Sequence, residues 1–194
     1  MLGEETDVSF VMMFRYVAFL RAVNVGGRVV KMERLRALFE ELGFAQVETF
    51  IASGNVIFET GAMKVDALEK KIERQLENAL GYEVAAFLRR DSELATLAAH
   101  RAFPAREVEA EDAVVYIAFL KAEPTRAAAD KLASQQGVVD AFKIRGREIY
   151  WLCRRRFSDS EFSGSRLEKI LGLRMTVRNS TTVQKLTTKY PPAG

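Results

Sequence analysis

Seven residues recur almost unchanged one hundred positions apart: Tyr16 to Ala22 reads YVAFLRA and Tyr116 to Ala122 reads YIAFLKA. Both are rich in β-branched and aromatic residues, so each is expected to be a strand. The segments after the two copies also match. MERLRALFEELG places Leu35, Leu38, Phe39 and Leu42 on one helical face and ends at Gly43, and PTRAAADKLASQQG opens on Pro124 and stops at Gly137. Each copy then has a hairpin signature, VETFIASGNVIFE turning at Ser53-Gly54-Asn55 and VDAFKIRGREIYWL turning at Arg145-Gly146-Arg147.

The correspondence runs further. A helical segment comes after each hairpin, one from Val65 and one in SGSRLEKILG, where Ser165 and Glu168 have capping-box spacing. Short strands, YEVAAFLRR and RMTVRN, lead directly into third amphipathic segments, DSELATLAAH and STTVQKLTTK. The order β-α-β-β-α-β plus one helix therefore occurs twice. That order predicts an α+β protein of two tandem ferredoxin-like domains, each an antiparallel four-stranded sheet carrying two helices on one face. The expected domains are residues 14–103 and 111–190, divided in HRAFPAREVEAED where Pro104 and clustered charge interrupt the pattern. The first strand is apolar on both alternating faces, so both are expected to be covered, one of them by the other domain.

Composition removes most catalytic templates. The single cysteine, Cys153, excludes an intrachain disulfide and a multi-cysteine zinc site, and the single histidine, His100, removes most histidine-based metal and triad chemistry. No metal or cofactor site is expected. With 29 Lys+Arg against 26 Asp+Glu the net charge is only +3, a weak argument for a nucleic-acid partner. MLGEETDVSFVMM lacks the basic start and long apolar run of a signal peptide and reads as a loose leader. TFIASGNVIF is too short to span a bilayer, so a cytoplasmic protein with no membrane partner is expected. Composition leaves the oligomeric state open.

The topology gathers chemistry at one edge. First and second strands run parallel in this plan, so the loop after the first lies beside the turn after the second. Arg21, Asn24, Gly26, Gly27 and Arg28 should therefore neighbour Ser53 and Asn55, next to a helix N-terminus. Paired glycines there are either an anion nest, with Arg28 supplying charge, or a turn that needs positive φ. Neither G-x-G-x-x-G nor G-x-x-x-x-G-K-[ST] is present, so no dinucleotide or P-loop assignment is available. Arg178-Asn179 ends the last strand; the hydroxyls of Ser180, Thr181 and Thr182 suit a helix cap, whereas a guanidinium and a second amide suit a ligand. Arg178 and Asn179 can reach the glycine loop only if the two domains pack with those edges facing.

RAVNVGG, FIASGNVIF and TVRNSTTVQKL together resemble the hallmark segments of the bacterial family named for domain of unknown function 1697, across Arg15 to Leu186. The resemblance implies two ferredoxin-like domains and carries no assigned activity. The chain departs from the family pattern at Ala22, where Gly is usual, at Ala52, where Gln is usual, and at Ser180, where an aromatic is typical.

Four functions stay open, one of them a structural or self-assembly role through sheet edges. The first is a binding protein for a small anionic ligand, nucleotide or phosphate-bearing, at the glycine-loop edge. An RNA-binding module would use Tyr16, Phe19, Phe50 and Phe58 as stacking rings, but no RNP1 octapeptide is present, and core aromatics are the favoured reading. An enzyme would have to use Arg with carboxylates, of which Asp159 and Glu161 are one pair. Cys153, beside Trp151, is expected to be a packing thiol.

Overall fold

In the computed structural model, which describes residues 12–24, 26–27, 29–51, 54–155 and 157–192, the first half is built from β1 (Phe14–Leu20), α1 (Met32–Glu40), β2 (Ala45–Thr49), β3 (Asn55–Thr60), α2 (Val65–Leu80), β4 (Ala86–Arg90) and α3 (Asp91–Ala99). A short helix, α4 (Ala105–Val108), lies in the connection. The second half repeats the series as β5 (Val114–Leu120), α5 (Arg126–Ala133), β6 (Asp140–Arg145), β7 (Glu148–Cys153), α6 (Gly164–Leu171), β8 (Met175–Asn179) and α7 (Ser180–Lys189). Two antiparallel four-stranded sheets result, ordered β2-β3-β1-β4 and β6-β7-β5-β8. The leader segment expected over the first thirteen residues lies almost wholly outside the described residues. Among the described residues no helix is long and apolar enough to cross a membrane.

The two-sided apolarity of β1 has a direct cause. Tyr16, Ala18 and Leu20 pack with Leu35, Phe39, Leu68 and Ile72 of α1 and α2, while Val17 and Phe19 face the opposite way. There they join Ile57 and Phe87 against Ile117, Phe119, Tyr150 and Leu152 of the second sheet. On the far side of that sheet, Ala118, Leu120 and Trp151 pack with Leu132 and Leu167 of α5 and α6. The layers therefore run helices, sheet, sheet, helices. A fully buried phenylalanine contributes roughly 1.5–3 kcal/mol, so the shared apolar layer is a main source of cohesion between the halves. At its centre the equivalent residues of the repeated heptapeptide meet: the Phe19 and Phe119 rings stack with centroids 4.0 Å apart and planes 11° from parallel.

Local signals account for several helix ends. Thr125 caps α5 by accepting from the Ala128 N–H, and α2 stops at Gly81 in the left-handed region, φ 76°. Two expected caps differ. Helix α6 is capped by Ser163, which accepts from the Arg166 N–H, and Glu168 instead accepts from the Met175 N–H at 2.8 Å. Helix α7 is capped by Asn179, whose Oδ1 accepts from the Thr181 N–H and hydroxyl, in place of the serine and threonine hydroxyls. An amide oxygen on the last strand residue already sits at the N-cap position, which leaves the hydroxyls no cap to make.

Candidate functional site

The joint between the halves is built from strand residues at matching positions. On β4, Arg89 lies across from Val17, and on β8, Arg178 lies across from Ile117, so the two arginines are equivalent in the repeat. Each crosses to the other half. Arg89 is 1% exposed and donates from Nε to Glu148 at 2.5 Å and from Nη2 to the Leu120 carbonyl at 2.8 Å. Arg178 donates from Nε to Asn55 Oδ1 at 2.6 Å and from Nη2 to the Leu20 carbonyl at 2.8 Å. Their guanidinium groups lie 5.5 and 5.7 Å from the Phe119 and Phe19 ring centroids. Burial pulls Arg178 down to about 10, which leaves it charged at neutral pH.

A second pair of crossings flanks the first. Lys121 reaches Glu69 and Glu73 of α2, and Arg21, its counterpart, reaches Glu168 of α6. Glu73 and Glu168 are equivalent too, since they accept from the N–H groups of Ala86 and Met175 at the starts of β4 and β8. Arg174 completes the set by donating to Glu83, with Nη2 to Oε2 at 3.0 Å, and those bonds hold the Glu83 carboxyl below its usual range.

The expected neighbours of the glycine loop are partly brought together. The Leu20 N–H donates to the Gly54 carbonyl at 2.8 Å, which sets the turn after β2 against the end of β1. Asn24 Oδ1 accepts from the Val30 N–H at 2.7 Å and closes the loop on itself. Gly26 and Gly27 are exposed at φ 60° and 81° with nothing within 4 Å of a would-be Cβ, so backbone conformation alone accounts for both. Asn55 is buried, donating to the Phe50 carbonyl and accepting from Arg178. The condition on Arg178 is therefore met: the halves pack so that it reaches the glycine-loop edge. Asn179 goes elsewhere, to the α7 cap. Arg28 and Ser53 lie outside the described residues.

The repeat is broken beside Arg21. Phe19 pairs with Phe87, but Phe119 pairs with Thr176, so a threonine stands where the first half has a phenylalanine. In the first half the Phe87 ring lies 5.8 Å from Lys121 Nζ. In the second half a cavity of about 250 Å³ lies beside Arg21, between Trp151, Ser165, Glu168 and the Met175–Val177 stretch of β8, while Thr176 itself pairs with Phe119 of the inter-sheet layer. A crevice of about 400 Å³, walled by Arg21, Glu83, Glu168 and Arg174, shares Arg21 and Glu168 with it. Thr176 Oγ1 accepts from Arg178 at 2.8 Å, so its own proton is available to donate. Glu83, Glu168, Arg174 and Thr176 were not candidates in the sequence because each is distant from Arg21 along the chain. Aligning β4 with β8 would have exposed the Phe87 to Thr176 change.

Other candidates have structural explanations. Cys153 is buried, donates to the Arg155 carbonyl, and burial pushes its thiol up, the opposite of an activated nucleophile. Tyr16, Phe19 and Phe58 are fully buried and Phe50 half-buried against Tyr190, so they form no exposed stacking face. Asp159 accepts from Ser158 and Glu161 pairs with Arg166, both on the surface. Among the described residues no group of three His, Cys, Asp or Glu side chains is placed to hold a metal ion.

Comparison with known proteins gives a consistent picture. A conserved bacterial protein from Streptococcus pneumoniae, SP0830, has a similar structure, with TM-score 0.68 over 92% of this chain and 98% of that one at 22% identity, a likeness of fold. No curated protein matches the sequence. The model of a family described as protein of unknown function (DUF1697) matches residues 13–150, most of the chain, though not the segment holding Thr176 and Arg178. The chain belongs to the DUF1697 family.

Proposed function

We propose that residues 14–103 and 111–190 are two ferredoxin-like units and that the crevice between them binds a small ligand with one anionic, phosphate-like group. The strand orders and the helix placement in each half support the first part. The observation that carries the second is the cavity beside Arg21, where a half-exposed guanidinium paired with Glu168 borders open space lined by Ser165 and Trp151.

The chemistry rests on how Arg21 is held. Its side chain keeps 40% of its surface exposed while paired with Glu168, and an ion pair of that exposure contributes little, about 0–1 kcal/mol. A phosphate carries more charge than the carboxylate it would displace and offers three acceptor oxygens for a guanidinium. Glu168 would keep its bond from the Met175 N–H, so the exchange leaves no buried carboxylate stranded. Ser165 on the same wall supplies a further hydroxyl. Glu168, the carboxylate on the cavity wall, is already held by Arg21 and the Met175 N–H, which suits a binding role.

Thermal unfolding with inorganic phosphate, glycerol 3-phosphate and AMP tests it, since a ligand that binds the folded state raises the midpoint. At least one should do so in the unmodified protein. Arg21→Gln and Ser165→Trp should each abolish the rise, the first by removing charge and the second by filling the cavity. A rise that survives both substitutions, or no rise with any of the three, rejects the proposal.

A further inference from the structure

A second cavity, of about 390 Å³, lies away from the Arg21 crevice, between the end of α3, the connection between the halves and the start of α7. Its volume is within the roughly 300–1,000 Å³ of ligand pockets. One wall is apolar and only partly covered: Ala98, Ala102, Val108, Ala113 and Val115 pack against the inter-sheet cluster while retaining exposed surface. Its floor includes Tyr150, 2% exposed, whose hydroxyl donates to the Leu97 carbonyl at 3.1 Å and is therefore committed to the protein. The His100 ring stands edge-on to the Tyr150 ring at 5.0 Å. Tyr150 therefore forms the buried base under the exposed His100 ring, and the ring open to a guest is that of His100.

The rim is polar and unevenly charged. Ser180, Thr181 and Gln184 of α7 line one side, and Arg101 lines the other. Most arginines bordering the joint are held by carboxylates, as Arg21, Arg89, Arg147, Arg154 and Arg174 are. Arg101 forms no ion pair among the described residues, and no Asp or Glu lines this cavity. An apolar cavity with an exposed ring and an arginine free of ion pairs among its lining residues is complementary to a flat apolar body bearing a single negative charge.

We propose that this cavity binds an aromatic monocarboxylate, with the ring against His100 and the apolar wall and the carboxylate at Arg101. The site is independent of the Arg21 crevice and shares no lining residue with it.

Calorimetry with 2-naphthoate and its neutral counterpart 2-naphthamide, on the full chain, separates the parts of the claim. Naphthoate should bind about tenfold more tightly than the amide, the difference expected for one charge-assisted contact at a partly exposed site. Arg101→Gln, a change at an exposed side chain, should bring the two to equal affinity without altering the fold. Ala113→Trp, which fills the cavity, should abolish both. Arg21→Gln should leave naphthoate binding unchanged, so failure here is distinct from failure of the phosphate site. Equal affinity for acid and amide in the unmodified protein, no binding at millimolar concentration, or a preference that survives Arg101→Gln overturns the proposal. If Ala113→Trp does not fold, the Arg101 comparison decides alone.

Discussion

Removing the Glu148 side chain tests whether the joint between the halves is as integral to the fold as its burial implies. Arg89 is 1% exposed, and its Nε donates to Glu148 at 2.5 Å while Nη1 and Nη2 donate to the carbonyls of Leu88 and Leu120. Glu148→Ala leaves a guanidinium with hydrogen bonds but without its counter-ion, out of reach of bulk water. Breaking a buried pair from one side typically costs about 3–5 kcal/mol. That is a large share of the roughly 5–15 kcal/mol that holds an ordinary domain folded. The double variant Arg89→Met, Glu148→Leu removes both charges, and its cost should come from the backbone carbonyls that lose a donor, about 1–3 kcal/mol. It should therefore be more stable than Glu148→Ala alone. Urea unfolding followed by Trp151 fluorescence and by circular dichroism measures all three, and Trp151, the single tryptophan, reports from the second half. A cost below about 1 kcal/mol for Glu148→Ala, or a double variant less stable than the single one, would refute the view that the pair is desolvated and mutually dependent.

Three further outcomes are expected. Gly54 sits at φ 72° with a would-be Cβ 3.3 Å from the Cβ atoms of Leu20 and Val23, whereas Gly26, at φ 60°, faces open space; Gly54→Ala should therefore lower the thermal midpoint more than Gly26→Ala, which carries only the left-handed penalty of about 1–2 kcal/mol. Burial raises the Glu69 carboxyl above its ordinary value of 4.5, against the bond from the Leu88 N–H and the attraction of Lys121. A raised acid favours the folded state below 4.5 and loses that contribution as pH rises through its folded value, so Glu69→Gln should flatten the fall in stability between acid and neutral pH, read from urea midpoints. Cys153 should react slowly with a thiol reagent in the native protein and rapidly in denaturant, and fast native labelling would contradict its burial.

How much of this was legible in the sequence depends on how local each signal is. The repeated heptapeptide and the periodic segments after it specify strands and helices because apolar period and turn chemistry act within a few residues. The two-sided apolarity of β1 even announced a second cover. Which residues meet across the cover was not legible, because Phe19 meeting Phe119 depends on two sheets folding first and then choosing faces. The caps failed for a narrower reason. Serines and threonines after Asn179 satisfy the same rule as Asn179 itself, and only the backbone path decides which residue stands at the cap. Arg178 lay between these cases: its strand position was clear, while its partner, Asn55, is 123 residues away.

The two halves are alike enough that their differences can be read against each other. Arg89 and Arg178 make the same crossing, but Glu148 receives the first and Asn55 the second. Lys121 rests near the Phe87 ring and is held by two carboxylates, whereas Arg21 pairs with Glu168 beside a cavity. An arginine presents a planar fork able to grip two oxygens at once, where a lysine is a point charge. Cavity and bidentate donor occur together on the Arg21 side of the joint, and that coincidence, more than any single motif residue, is what motivates the ligand site proposed there.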